Sequence, residues 1–476
     1  MLQLTLTDLA SATGGTLADA PDPGAVVTGP VVVDSRQVEP GGLFVAVRGE
    51  HADGHDHAVP AAAAGAVACL VARPVGLPAV VVDDTVAALG RLGADAVRRL
   101  DQCTVVGVTG SQGKTSTKDL LAHVLELAGP TVAPLGSMNN EIGVPLTVLR
   151  ADAHTAFLVV EMGARGRGHI RFLCDIVQPR IGCVLNVGSA HVGEFGSRAA
   201  IAQAKGELVE ALPVTGTAVL NADDPAVAAM ASRTRAGVLT FGTSRGADVR
   251  VEGLRTGSDG CAAFELVTAT DGGRAPVTLQ LLGEHQAVNA AAAGAVALAA
   301  GLPLPDVARA LSAARPRSPW RMERTERADG VLVVNDAYNA NPDSMRAALK
   351  TLVGLSQARG GRSFAVLGEM RELGEQSTSE HDAVGRLAVR LDVDQLVVVG
   401  DAARPLHLGA CLEGSRGSES VLVPDTDAAL ALLREELRAG DTVLVKASRD
   451  VGLERVAQAL LADVPAAAPL GQEDSR

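Results

Sequence analysis

The chain has 476 residues, 47% hydrophobic and 20% charged, with a formal net charge of −13. That length suits roughly three domains, and the composition is that of a folded globular protein. An acidic balance without a basic cluster argues against nucleic acid or an anionic membrane as partner, so a polyanionic ligand must be met by local loops and helix ends. Aromatic residues are only 2%. Cores must then be built from Val, Leu and Ala, as in parallel α/β sheets covered by helices. The six cysteines are scattered with no Cys-x-x-Cys pair, which suggests neither a disulfide framework nor a zinc site. Met1 to Thr5 lack a basic n-region, and the apolar run Ala287 to Leu302 is short and contains Asn289. A buried helix rather than a membrane span is expected there, in a cytoplasmic protein.

Residues 1–100 read as a first unit. Val31–Val33, Leu43–Val47, Cys69–Val71 and Ala79–Val82 are predicted strands, Ala61–Ala68 and Val86–Leu100 helices, the second capped by Asp83 or Asp84. His51, His55 and His57 lie in a polar loop between them. Without a cysteine or a helical i, i+4 pair, a solvated loop is expected rather than a metal site.

The second unit, residues 101–313, opens on the strand-like Val105–Val108. There follow Thr109-Gly110-Ser111-Gln112-Gly113-Lys114-Thr115-Ser116 and a helix predicted over Asp119–Ala128. Strand, glycine loop and helix in that order cradle phosphate on backbone amides, helped by the helix dipole. Lys114 would add a charge between terminal phosphates and Thr115 would reach Mg²⁺. The usual P-loop has a glycine six residues before the lysine; here it is Val108, which suggests a subclass. Ala156–Val160, Ile181–Leu185, Thr217–Leu220 and Val238–Phe241 are further strands of a parallel sheet with right-handed crossovers. Glu161, Asn186, His191 and Asn221 fall after strand ends, where such sheets bind ligands. Val249–Leu282 alternates like an antiparallel insertion, and an Ala-rich helix spans His285–Gly301.

A Pro- and Arg-rich linker, Arg315–Pro319, leads into the third unit, residues 314–463. Val331–Val334, Ser363–Leu367, Gln395–Val399 and Thr442–Val445 alternate with helical runs such as Asp343–Ala358, which predicts another doubly wound sheet. Residues 464–476 mix Pro, Ala and charge and are expected to be disordered.

Glu161 is the acidic residue that a P-loop enzyme needs beside Mg²⁺. His191 reads either as a metal or substrate neighbour or as a structural histidine. By itself, Lys205 reads as a solvated helix lysine. Asn221-Ala222-Asp223-Asp224 lacks the lysine of a guanine-reading motif, which argues against a GTPase.

Together these pieces resemble the Mur ligases, ATP-dependent enzymes that build the peptide stem of bacterial cell-wall precursors. The resemblance covers nearly the whole chain. It rests on Asp34-Ser35-Arg36, the glycine loop, Asn139-Asn140-Glu141-Ile142-Gly143-Val144-Pro145, Glu161-Met162-Gly163-Ala164 and Ala204-Lys205-Gly206-Glu207. Further on it rests on Gly283-x-His285-x-x-x-Asn289, Asp336-Ala337-Tyr338-Asn339-Ala340-Asn341-Pro342, Gly368-Glu369-Met370-x-Glu372-Leu373-Gly374 and Lys446-Ala447-Ser448-Arg449. The Asn-Asn-Glu-Ile-Gly-Val-Pro and Tyr-Asn-Ala-Asn-Pro runs resemble the dipeptide-adding member. Gln286 departs from the asparagine that often follows the histidine.

The resemblance implies three α/β domains: an N-terminal UDP-binding domain, a central P-loop-type parallel sheet with the ATP site, and a C-terminal Rossmann-like domain. It implies ATP and Mg²⁺ as cofactors, UDP-N-acetylmuramoyl-tripeptide and D-alanyl-D-alanine as substrates, and a monomer. Lys114, Lys205 and His191 would be catalytic. Gly110, Ser111, Gln112, Gly113, Lys114, Thr115, Ser116, Asn289, Arg321 and Asp336 would bind ATP. Thr115, Glu161, His191 and Lys205 would surround the metal, with Lys205 matching a lysine that is carbamylated in the family. Ser35, Arg36, Asn139, Tyr338 and Asn339 would touch substrate. Two other readings stay open: a nucleotide-dependent switch without a ligase step, and another ligase of the same fold, such as a folylpolyglutamate synthase or another stem-peptide ligase.

Overall fold

The computed structural model describes residues 2–49, 52–188, 192–415 and 419–464. His51, His191 and the tail beyond 464, about which the sequence raised expectations, lie outside the described residues. Three main sheets follow one another along the chain, giving a three-domain α/β fold. The first is five-stranded, with Val31–Val32, Leu43–Val45, Ala68–Val71 and Ala79–Val81 in parallel and Thr16–Ala18 antiparallel at one edge. Asp84 caps the following helix, Thr85–Arg98, by accepting from the Val86 and Ala87 amides. The helix predicted over residues 61–68 instead spans Ala58–Ala63. Gly65, at φ 105°, ends it against Pro40 and frees Ala68 to join a strand.

The central sheet has nine strands, and Thr104–Thr109 sits between Ile181–Val184 and Phe157–Glu161. From this strand the chain builds first to one side and then to the other, so the glycine loop at its end lies at a topological switch point. Helix Lys114–Leu125 starts five residues before the predicted Asp119 because Gly113, at φ 80°, is itself the N-cap. The expected insertion is part of this same sheet. Val249–Thr256 pairs in parallel with Gly237–Gly242, and two antiparallel strands, Cys261–Thr268 and Arg274–Leu282, extend the edge. Helix Gln286–Ala299 buries alanines all round and packs on Lys114–Leu125, its small side chains permitting close approach. Among the described residues no helix is long and apolar enough to cross a membrane.

One core runs through the first two units. Leu89 and Leu92 of the Thr85–Arg98 helix cluster with Val144, Leu173 and Ile176 of the second. Gly90 and Gly93 let that helix approach Ile176 and Pro145, where a Cβ would meet atoms at 3.3 and 3.2 Å. The third sheet has six strands, five parallel, with Glu323–Glu326 antiparallel at the edge. Its last strand, Thr442–Lys446, inserts between Leu332–Asn335 and Ser363–Leu367. That insertion sets Lys446 beside Asp336 across 110 positions of sequence.

The expected linker is firmly held. Arg317 makes a bidentate pair with Glu126, and the Ser318 amide donates to Asp119 at 3.0 Å. Lys118, almost wholly buried, meets Asp119 at 2.5 Å, the Pro134 carbonyl at 2.9 Å and Ser318 Oγ at 3.3 Å. The helix that starts at the glycine loop therefore also anchors the root of the third domain.

Candidate active site

The strand ends of the second and third sheets face one cavity of about 860 Å³. Ser111 to Ser116, Asn139, Glu161, Asn289, Arg321, Asp336, Tyr338 and Asn339 all line it. Gly110 lies just behind the lining, against Leu185, where an added Cβ would stand 2.8 Å from the leucine Cβ. Gly113 packs as tightly, its missing Cβ falling 2.5 Å from Asn289 Oδ1. Asn289 in turn donates to Gln286 Oε1 at 2.9 Å, so the residue that departs from the family pattern holds the one that matches it.

Glu161 is fully buried and accepts hydrogen bonds from three residues that lie apart in sequence. Thr115 Oγ1 donates to Oε2 at 3.0 Å, while Ser137 Oγ and Asn139 Nδ2 both donate to Oε1 at 2.8 Å. Arg321 Nη2 donates to Thr115 Oγ1 at 3.2 Å, which carries the third domain onto the loop. Lys114 Nζ donates to the Gly110 carbonyl at 2.8 Å. Burial pushes the Lys114 pKa below the ordinary lysine value; Glu161 and Glu372 pull it upward and Arg321 adds to the depression.

Lys205 departs from the solvated lysine that its own sequence context suggests. It sits on helix Arg198–Glu210, is 3% exposed, and has no hydrogen-bond partner among the described residues. Burial, with repulsion from Lys114, holds its pKa well below the ordinary value. Burial of this kind favours the neutral, nucleophilic form of an amine. Glu207 of the same motif plays a different part. It accepts from the Gly168 and Arg171 amides at 2.6 and 3.0 Å, capping the helix His169–Val177. Among the described residues no three His, Cys, Asp or Glu side chains group as a metal site.

On the third domain, Asp336 accepts from the Met322 amide at 3.0 Å and pairs with Lys446 Nζ at 2.5 Å. Lys446 also donates to the Asn339 carbonyl at 2.9 Å. Burial lowers the Lys446 pKa and Asp336 counters it. The chain's single Tyr and single Trp meet here. Arg321 stacks over Tyr338 at 4.2 Å and Arg449 over Trp320 at 4.1 Å. Trp320 and Met322 both take positive φ, 57° and 52°, an uncommon conformation that aims the intervening Arg321.

Ser35 and Arg36 are not part of this cavity. They form a short 3₁₀ turn of the first domain, with Arg36 paired to Asp34 at 2.7 Å. His55 is buried, bonded to Asp53 and to the Ala72 amide, so it is a structural histidine of its loop. Sequence reasoning assigned no specific role to Ser137, Asn186, Lys446 or Trp320. The uniqueness of Trp320 in so aromatic-poor a chain was the available signal for that side of the cavity.

A family model described as Mur ligase middle domain matches residues 108–297. The Mur ligase, glutamate ligase domain matches 320–449, and the Mur ligase family, catalytic domain matches 30–96. The UDP-N-acetylmuramoyl-tripeptide–D-alanyl-D-alanine ligase of Mycobacterium tuberculosis is 49% identical, over 97% of this chain and 98% of that protein. Among solved structures, MurF from Acinetobacter baumannii superposes with a TM-score of 0.85 at 32% identity, over 97% of this chain and 99% of that one. MurF from Thermotoga maritima in complex with ADP gives 0.77 at 31%, over 91% and 97%.

Proposed function

Because the chain belongs to the Mur ligase family, we propose that it is the ATP-dependent, ADP-forming ligase that joins D-alanyl-D-alanine to UDP-N-acetylmuramoyl-tripeptide. The observation that carries this reading is 49% identity, along almost the whole length of both chains, to a relative of that name. Residues 1–100 would hold the UDP-sugar, with Ser35 and Arg36 near the nucleotide. Residues 101–313 would hold ATP, and residues 314–463 would receive the dipeptide and complete the ATP site.

A carboxylate is a poor acyl donor. Its oxygen attacks the γ-phosphorus, ADP leaves, and an acyl phosphate results. The dipeptide amine then attacks the acyl carbon, the amide C–N bond forms, and phosphate departs while the amine loses a proton. Two anions must approach in the first step. Lys114 and the loop amides stabilise the phosphates, and Arg321 brings a second cation from the third domain. The left-handed Trp320 and Met322 flank Arg321, and its bond to Thr115 joins the two domains, so closure of the third domain on the second would bring this cation to the phosphates and exclude water. Asp336, fixed by Lys446, would meet the ribose, and Asn289 the adenine side. Tyr338, Asn339 and Asn139 would orient the acceptor and the UDP-peptide.

Mg²⁺ fits the donors present. The Glu161 carboxylate and Thr115 hydroxyl are adjacent hard oxygens, and this ion commonly combines one or two carboxylates with substrate phosphates. When bound, it supplies neutralisation of the phosphate charge. Lys205 would join them as a carbamate: its buried, neutral amine adds to CO₂, loses a proton and becomes an oxygen anion. By the family resemblance, His191 would be a further catalytic and metal-site residue. The test is phosphate release with components omitted in turn. Release should require ATP, Mg²⁺, the UDP-tripeptide and the dipeptide together. Fast ATP turnover without the dipeptide and UDP-tripeptide would instead describe a switch.

A further inference from the structure

The glycine loop lacks the first glycine of the usual P-loop, and its backbone shows the consequence. Between Gly110 and Lys114, only Gly113 takes a left-handed φ. Successive amides converge on an anion where right- and left-handed residues adjoin, so convergence here is confined to the amides around Gly113. The Ser111 and Gln112 amides point elsewhere. Both donate to Asn186 Oδ1, at 2.9 and 3.0 Å. Asn186 Nδ2 returns a bond to the Gln112 carbonyl at 3.1 Å, and the Ser111 amide also reaches the Asn186 carbonyl at 3.1 Å. Two donors on one side and a carbonyl on the other fix which way the amide faces. Two residues on, the Gly188 amide donates to Ser111 Oγ at 2.9 Å. Asn186 follows the strand Ile181–Val184, which pairs directly with the strand carrying the loop.

We propose that Asn186 is the positioning residue of the phosphate loop. By occupying the Ser111 and Gln112 amides it sets from outside the curvature that the missing glycine would set from within. The amides of Gly113, Lys114 and Thr115 are left for phosphate. The proposal rests on the reading that this loop holds nucleotide phosphates. Without the strut, two loop amides seek water or the phosphates and the cradle relaxes; a displacement of about 1 Å costs on the order of 10²-fold in rate.

Calorimetry on the full-length Asn186→Ala variant, with ADP and with adenosine, is the first arm. ADP affinity should fall about 10-fold, the loss of one to two net hydrogen bonds to phosphate, while adenosine affinity stays as in the wild type and melting stays cooperative. Equal weakening of both ligands, or no weakening, overturns the proposal. The second arm needs no variant: amide hydrogen exchange of the wild type with and without ADP, at residue resolution. Ser111 and Gln112 should be protected in both states, and Lys114 and Thr115 should gain protection with ADP. Protection gained by Ser111 and Gln112 on ADP binding makes them phosphate donors and overturns the strut. Failure of the wild type to bind ADP overturns the phosphate-loop reading beneath it.

Discussion

Replacing Lys205 with alanine should separate stability from activity. The side chain is 3% exposed, so the change removes about three buried methylenes, worth roughly 0.8 kcal/mol each, or about 2 kcal/mol of packing. Against that loss stands relief of the desolvation of the amine and of its repulsion by Lys114. The melting midpoint should therefore fall by less than the packing loss alone implies. Activity should behave otherwise. If the residue works as a carbamate, the variant loses one preorganised charge at a phosphoryl-transfer site, typically about 10²–10³ in rate. The assay is phosphate release, with and without high concentrations of a short carboxylic acid, whose carboxylate can enter the space left by the side chain. Partial rescue by the acid, absent in the wild type, is the expected result. Full turnover by Lys205→Ala without any acid would rule out the carbamate.

Other perturbations follow from the same geometry. Lys114→Ala should cost about 3–4 kcal/mol in transition-state stabilisation while leaving the melting profile intact; normal phosphate release would reduce the loop to a turn. Gly113→Ala puts a Cβ into a left-handed position, roughly 1–2 kcal/mol, and 2.5 Å from Asn289 Oδ1, so both the melting midpoint and ATP binding should drop in thermal shift assays. His381 accepts from the Met370 amide at 2.9 Å and donates to the Ser377 carbonyl at 2.7 Å, and burial holds its pKa below the ordinary 6.5 although Ser377, Glu369 and Glu380 oppose the shift. The unfolded chain therefore takes up that proton first as pH falls through 6.5, and stability declines until the folded value is passed; urea melts of His381→Gln should show a shallower acid slope, and an unchanged slope would place the loss elsewhere.

Local order was legible where it is dictated locally. Strand, glycine loop and helix around Gly113 follow from β-branched runs, a left-handed turn and an apolar helical face, and the structure shifts the helix from 119–128 to Lys114–Leu125. The Ala-rich run was separable from a membrane span by its length and by Asn289. Less legible was whatever depends on sheet order. Strand Thr442–Lys446 is last in sequence yet central in its sheet, so the Asp336–Lys446 pair has no sequence spacing that announces it. Lys205 shows the same limit: helical periodicity gives its face but not what packs over that face. Residues 1–100 read as a unit by themselves, whereas the core they share with the second unit behind Leu89 and Leu92 has no sequence signal.

Acceptor choice tests the assignment as a dipeptide-adding ligase most directly. With ATP, Mg²⁺ and UDP-N-acetylmuramoyl-tripeptide supplied, phosphate release and product mass should be measured with D-alanyl-D-alanine and, separately, with single amino acids. Stoichiometric ADP, phosphate and a pentapeptide product with the dipeptide alone is the expected result. Equal or faster product formation with a single amino acid would contradict it and assign the chain to a different step of stem-peptide assembly.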